Sequence, residues 1–180
     1  MSLLSSVIAI AEDRPELAGR RQAFLNVLAE LVQADAGFWA WGRGWPNPDS
    51  ITPVAMLDFG FTDEQRAVVI EWGLDREGNH LFRQRIRATM TSRLQAPSLR
   101  RDVFSDEEWA TVPAMRRQLA RGGWENWLHC VRYSASDTWS NLFLLRNLGR
   151  ADFGASEATL VDLAMTSVAW LHSTVEESLP

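Results

Sequence analysis

The sequence predicts an α+β domain: an antiparallel sheet with the N- and C-terminal helices on one face and a helical middle segment on the other. Three observations carry this expectation. Capped, amphipathic helix patterns open and close the chain, two pairs of short strand-like runs lie inside them, and a helical stretch separates the pairs. With 180 residues, 46% hydrophobic and 23% charged, the chain has apolar material for one core and the size of one domain. Residues 1–180 therefore read as a single unit.

The first helix pattern starts at Asp13, Pro15 and Glu16, residues suited to a cap and first turn, and continues through Phe24, Leu25, Leu28, Leu31 and Val32 to about residue 34. Residues 37–42 and 52–58 follow as a strand pair bounded by Gly, Pro, Asn and Asp. Trp39 and Trp41 share one face of the first strand, opposite Phe38 and Ala40, while Trp45 falls in the connecting loop. Thr62-Asp63-Glu64-Gln65 is a capping box that opens a helix through Val68, Val69, Ile70 and Trp72.

From Gly78 to Arg101 no acidic residue occurs, and Arg83, Arg85, Arg87, Arg93, Arg100 and Arg101 make the stretch locally basic. Solvated charge explains such a run, and so does a rim for an anion or partner, for which Arg83, Arg87 and Arg100 are the candidates. Ser105-Asp106-Glu107-Glu108 is a second capping box, with Phe104 and Trp109 placed as a hydrophobic staple, and its helix runs past a break near Pro113 to Gly122-Gly123. Residues 126–133 and 139–146 read as the two strands of an antiparallel hairpin joined by Ser134 to Thr138, with Trp127, His129, Val131 and Tyr133 on one face. Ser156 is placed to cap a last helix whose stripe is Leu160, Ala164, Val168, Leu171 and Val175, flanked by Val161, Met165 and His172.

The bulk chemistry excludes several function classes. A net charge of −5 argues against the whole chain being a nucleic-acid binder, because neutralising phosphates needs a basic face. One cysteine, Cys130, forms no internal disulfide, and His80, His129 and His172 lack metal-ligand spacing, so neither a metal nor a cofactor is expected. The apolar opening from Leu3 to Ala11 is short and follows no positive residue, so it is not read as a secretion signal. No run approaches a membrane span, and a cytoplasmic location is expected. No phosphate loop, nucleophile elbow or paired C-x-x-C is present, and His129 and Cys130, as strand neighbours, point to opposite faces. No catalytic residue is assigned.

Nine tryptophans in 180 residues fit core filling, a pocket wall or a partner surface. The pocket is expected under the helical middle, lined by Trp39, Trp41, Trp127, His129 and Tyr133.

Arg100-Arg-Asp-Val-Phe-Ser-Asp-Glu-Glu-Trp109, Gly122-Gly-Trp-Glu-Asn-Trp-Leu128 and Leu144-Leu-Arg-Asn-Leu-Gly-Arg-Ala-Asp-Phe153 together resemble the sensory regions of bacterial LuxR-type transcription regulators. The resemblance spans residues 99–180. It implies a GAF/PAS-like fold, a non-enzymatic role in binding a small-molecule signal, and a homodimer paired through the outer helices, with Leu160, Val168, Leu171 and Val175 as candidate contacts. It also implies that DNA contact belongs to a helix-turn-helix domain not included in these residues. The alternative is a dimerisation or protein-interaction module without a ligand; a small enzyme using the Arg-rich rim is a third reading.

Overall fold

The computed structural model describes residues 5–6, 9, 16–44, 52–75, 80–92, 96–133 and 138–167. Its elements from residue 16 onward are α1 (Leu17–Leu31), β1 (Ala36–Arg43), β2 (Thr52–Phe59), α2 (Asp63–Leu74), α3 (His80–Ser92), β3 (Ser98–Leu99), α4 (Arg100–Val103), α5 (Asp106–Ala110), α6 (Pro113–Gly122), β4 (Trp124–Tyr133), β5 (Thr138–Asn147) and α7 (Ala155–Ser167). The strands form one antiparallel sheet in the order β2-β1-β5-β4-β3.

Local chemistry sets the helix boundaries. At α2 the Gln65 amide donates to Thr62 Oγ1 (3.2 Å) while the Thr62 amide donates to Gln65 Oε1 (2.9 Å), satisfying two amides that the first turn leaves open. Ser105 and Glu108 repeat the exchange at α5, and the Phe104 and Trp109 rings meet at 5.6 Å as the staple requires. Gly123, at φ 80°, ends α6 in the left-handed conformation that favours glycine. Two starts differ from expectation. Helix α1 begins at Leu17 behind Glu16, whose side chain makes no capping bond, while Asp13 and Pro15, expected to open it, lie outside the described residues. Helix α7 begins at Ala155, ahead of Ser156, because the Glu157 carboxylate reaches back to accept from the Gly154 amide at 2.5 Å.

The sheet divides two apolar layers. On one face Phe24, Leu25 and Leu28 of α1 and Val161, Ala164 and Met165 of α7 cover Trp39, Leu128, Cys130, Leu142 and Leu144. On the other, Val69, Phe82, Ile86, Val103, Phe104, Trp109 and Leu119 from the middle segment cover Phe38, Ala40, Trp127, Val131, Trp139, Phe143 and Leu145. This is the expected layout, with the short strand β3 and helix α4 added at the β4 edge. Two residues of β3 are too few to show any periodicity in the sequence.

Arg146 fastens the two outer helices to the sheet. Its guanidinium donates to the carbonyls of Val32 (2.7 Å), Ala151 (3.0 Å) and Asp152 (2.9 Å) and to Glu157 Oε1 (2.6 Å), and lies 4.2 Å from the Phe153 ring centroid. Burial alone would raise the Glu157 carboxyl, but the Gly154 amide and Arg146 outweigh it and hold the group below the usual carboxylate range. The strand-end arginine, glycine turn and phenylalanine in the sequence thus form one interlocked corner.

Candidate ligand-binding site

The side chains of β1 decide where space remains. Phe38 and Ala40 point toward the middle helices, and their cross-strand neighbours Phe143 and Asn141 on β5 share that face. Ala40 is small where the opposite face carries Trp39 and Trp41, so the sheet is thin on the side of α2 and α3. Gly42 extends the effect: a Cβ there would lie 2.7 Å from Trp139 Cζ2 and 2.1 Å from the Thr52 carbonyl. Its absence lets the Trp139 indole lie across β1 and donate to the Arg43 carbonyl at 2.9 Å. Above the sheet, Trp72 meets Phe143 edge-on at 5.4 Å and Phe82 at 4.9 Å, propping α2 and α3 away from the strands.

The result is a cavity of about 470 Å³ between the sheet and helices α2 and α3. This is within the size range of small-molecule sites. Its floor is buried: Phe38, Ala40, His129, Val131, Trp139 and Phe143. Its mouth is marked by the exposed residues Met56, Ile70, Leu74 and Arg87, with Arg83 half-buried beside them. Packing is tight next door, where Phe38, Val68, Leu119 and Trp124 line a void of only about 10 Å³.

Two polar groups interrupt the apolar floor. His129 Nδ1 and Asn141 Oδ1 are buried and, among the described residues, have no hydrogen-bond partner. Burial pushes the imidazole down to about 4 and outweighs the opposite pull of the Asn141 side chain, so His129 is neutral at physiological pH, with one nitrogen to donate and one to accept. At the mouth, Arg83 Nη2 donates to the Gly73 carbonyl at 2.8 Å and ties α3 to the end of α2. Among the described residues no group of three or more His, Cys, Asp or Glu could hold a metal.

The structure separates the residues the sequence grouped together. Trp39 and Trp41 do not face the cavity. Trp39 is fully buried under the outer helices, its indole donating to Ser140 Oγ at 2.6 Å and its ring 5.9 Å from Phe24. Trp41 lies beneath Arg21, whose guanidinium sits 4.3 Å from the ring centroid; burial lowers Arg21 to about 10, which leaves it charged at neutral pH. The physical reason is register. Trp39 pairs with Leu57 and Leu142, which belong to the outer-helix layer, and β1 is apolar on both faces, so alternation could not say which face looks where.

Trp127 is on the cavity side of the sheet but is covered by Phe82, 5.7 Å away, and Phe143, 5.4 Å away, and does not line the cavity. Tyr133 is exposed at the end of β4, also away from the lining. His129 does line it, as do Arg83 and Arg87. Arg100 does not: it is buried at the start of α4, 2.5 Å from Asp106 Oδ1, 3.7 Å from Asp152 Oδ2 and over the Trp109 ring, so it serves the fold. Sequence reasoning missed Phe38, Ala40, Trp72, Trp139 and Asn141. The available signal was the small pair Ala40 and Gly42 inside an otherwise bulky strand. Cys130 is buried in the other layer and its thiol is pushed up to about 12, which makes it unreactive. Of the proposed pairing residues, Leu160 is half-buried against the outer-helix cluster, and Val168, Leu171 and Val175 lie outside the described residues.

Among solved structures, the N-acylhomoserine lactone dependent LuxR-family transcription factor CepR2 from Burkholderia cenocepacia superposes with a TM-score of 0.59 over 94% of this chain and 93% of its own, at 13% identity. The two share one fold. SdiA in complex with octanoyl-rac-glycerol matches with a TM-score of 0.54, at 10% identity, over 95% of this chain and 68% of its own. The GAF3 domain of Slr1393 from Synechocystis, in its photoproduct state, matches with a TM-score of 0.46, at 13% identity, over 91% of this chain and 88% of its own. No protein-family profile matches the sequence, and no curated protein matches it either. Among the described residues no helix is long and apolar enough to cross a membrane.

Proposed function

We propose that this chain is a signal-sensing domain of the LuxR regulator type, which binds a small, largely apolar molecule between the sheet and helices α2 and α3. The observation that carries this reading is the cavity itself: about 470 Å³, walled by Phe38, Val69, Trp72, Phe82, Ile86, Val131, Trp139 and Phe143, with His129 and Asn141 as inward polar groups. An apolar wall with a few convergent polar atoms is the usual composition of a small-molecule site. The LuxR-type fold supports the reading. One of the two similar structures is described as acylhomoserine-lactone dependent and the other holds an octanoyl glycerol, so an acyl-chain compound is the class to test first.

On this reading the domain acts by binding and not by catalysis. Pairing of two copies through the outer helices, and DNA contact through a separate helix-turn-helix domain, belong to the same proposal. A ligand shifts such a system only through its different affinity for the two states.

The test is a titration with medium-chain acyl compounds, read by tryptophan emission, since Trp72 and Trp139 border the cavity. Saturable binding is expected, abolished by Ala40→Phe, which fills the floor, and retained in Trp41→Phe on the opposite face. Absence of binding by every compound, or binding indifferent to Ala40→Phe, would overturn the assignment.

A further inference from the structure

The cavity floor is a small grid on three neighbouring strands. Phe38 of β1 pairs with Phe143 of β5, which pairs with His129 of β4; one step along, Ala40 pairs with Asn141, which pairs with Val131. All six residues line the cavity. Directly paired residues share a face, so His129 and Asn141 occupy diagonal positions of the grid, and the Asn141 side chain lies close enough to act on the imidazole. Beside Asn141 the floor is low, because its partner on β1 is the methyl group of Ala40.

These two positions hold unmet hydrogen-bonding capacity. His129 is 5% exposed, and among the described residues neither its Nδ1 nor Asn141 Oδ1 has a hydrogen-bond partner. A buried polar atom in that condition is costly, because it has given up water and gained nothing in exchange. Elsewhere in the lining, Trp139 donates its indole N–H to the Arg43 carbonyl and Arg83 donates to the Gly73 carbonyl. The chemistry of the pair narrows what could serve it. Asn141 Oδ1 only accepts, so it needs a donor, and the imidazole is neutral, so it offers no charge to balance an anion. A ketone or ester oxygen accepts without donating, and a carboxylate would bring an unbalanced charge into an apolar space. A hydroxyl both donates and accepts.

We propose that the floor recognises a neutral hydroxyl group, which donates to Asn141 Oδ1 and accepts from His129 Nδ1, on a ligand whose apolar body runs over Ala40 toward Met56, Ile70 and Leu74 at the mouth. This rests on the sensing role proposed above and adds to it the head group and the direction in which the ligand lies. Both protein atoms are covered, so seating the hydroxyl takes a turn about χ2, which is a soft torsion in histidine and asparagine. The imidazole then carries its ring proton on Nδ1.

The experiment compares 1-decanol, 2-decanone and decanoate, each below its solubility or micellar limit, by tryptophan emission and by thermal stabilisation of the full chain. Decanol is expected to bind about tenfold more tightly than the ketone, the difference that a buried hydrogen bond supplies, with decanoate weaker than decanol at neutral pH. Asn141→Leu and His129→Leu place apolar groups at the two positions and should bring decanol down to the level of 2-decanone, with the ketone binding as before. Equal binding of decanol and 2-decanone by the unmodified protein, the result that a water held by the pair would give, overturns the head-group assignment and leaves the pocket reading intact. Decanoate binding tightest, or a decanol preference that survives both substitutions, overturns it in the same way. The comparison within the unmodified protein decides the matter even where a substitution impairs folding. If none of the three compounds binds, both readings fail together.

Discussion

Replacing Ala40 by leucine tests whether the space over β1 is empty, because an empty site and a filled site predict opposite signs. Ala40 and Ala36 are both buried, both on the middle-helix face of β1 and four residues apart. Only Ala40 borders the 470 Å³ cavity. An isopropyl group added at Ala40 leaves water for an apolar wall, worth roughly 2 kcal/mol at about 0.8 kcal/mol per methylene-sized group. Ordering the longer side chain costs about 0.5–1 kcal/mol. The net is a stabilisation of about 1 kcal/mol, or a rise in Tm of roughly 2–4 °C for a domain of this size. At Ala36 the same addition meets a packed neighbourhood and should cost about 1–3 kcal/mol through displaced side chains. Thermal unfolding of both variants, without added ligand and followed by circular dichroism, gives the comparison. A loss of more than about 1 kcal/mol at Ala40, equal to that at Ala36, would mean the site is already filled, and the argument for a binding cavity would fall with it.

Two further outcomes follow from groups away from the arginine rim. Arg146→Met removes the donor to the Val32, Ala151 and Asp152 carbonyls and to Glu157 Oε1; losing one member of a buried pair costs about 3–5 kcal/mol, so urea unfolding should show such a loss, and a loss below about 1 kcal/mol would show that the corner is not fastened by this residue. His129 makes stability fall in mild acid: the unfolded chain binds this proton below about pH 6.5, while the folded chain refuses it until about pH 4, so up to about 3 kcal/mol is present above pH 6.5 and lost as pH drops through that window. His129→Leu should remove this slope and keep the decline at lower pH to which Glu157 contributes; an unchanged slope in the variant would refute the assignment.

The fold was legible because its signals are local. Thr62 and Ser105 announce their helices by reciprocal hydrogen bonds between residues three apart, and Gly123 announces a stop through its backbone freedom. The two layers were legible because the segment between the strand pairs is helical and must cover the face that the outer helices leave. The site was less legible because it depends on which face of β1 turns toward which layer. With phenylalanine and tryptophan alternating along one strand, both faces read as core, and only pairing with β2 and β5 assigns them. Large aromatics invited the inference of a pocket wall, yet Trp39 fills space and it is Ala40 that leaves it. Arg100 shows the same limit in charge: as sequence it stands with Arg83 and Arg87, while in space Asp106 and Asp152 claim it.

The sheet is a single residue thick, and this gives the arrangement of β5 a mechanical meaning. Asn141 and Phe143 belong to the cavity, while Ser140, Leu142 and Leu144 belong to the opposite side. Whatever presses on Asn141 therefore acts one peptide bond from the hydroxyl that anchors the Trp39 indole, and that indole rests on Phe24 of α1. On the proposed reading, a guest over Asn141 would press on a strand whose preceding residue, Ser140, holds the Trp39 indole on the far side.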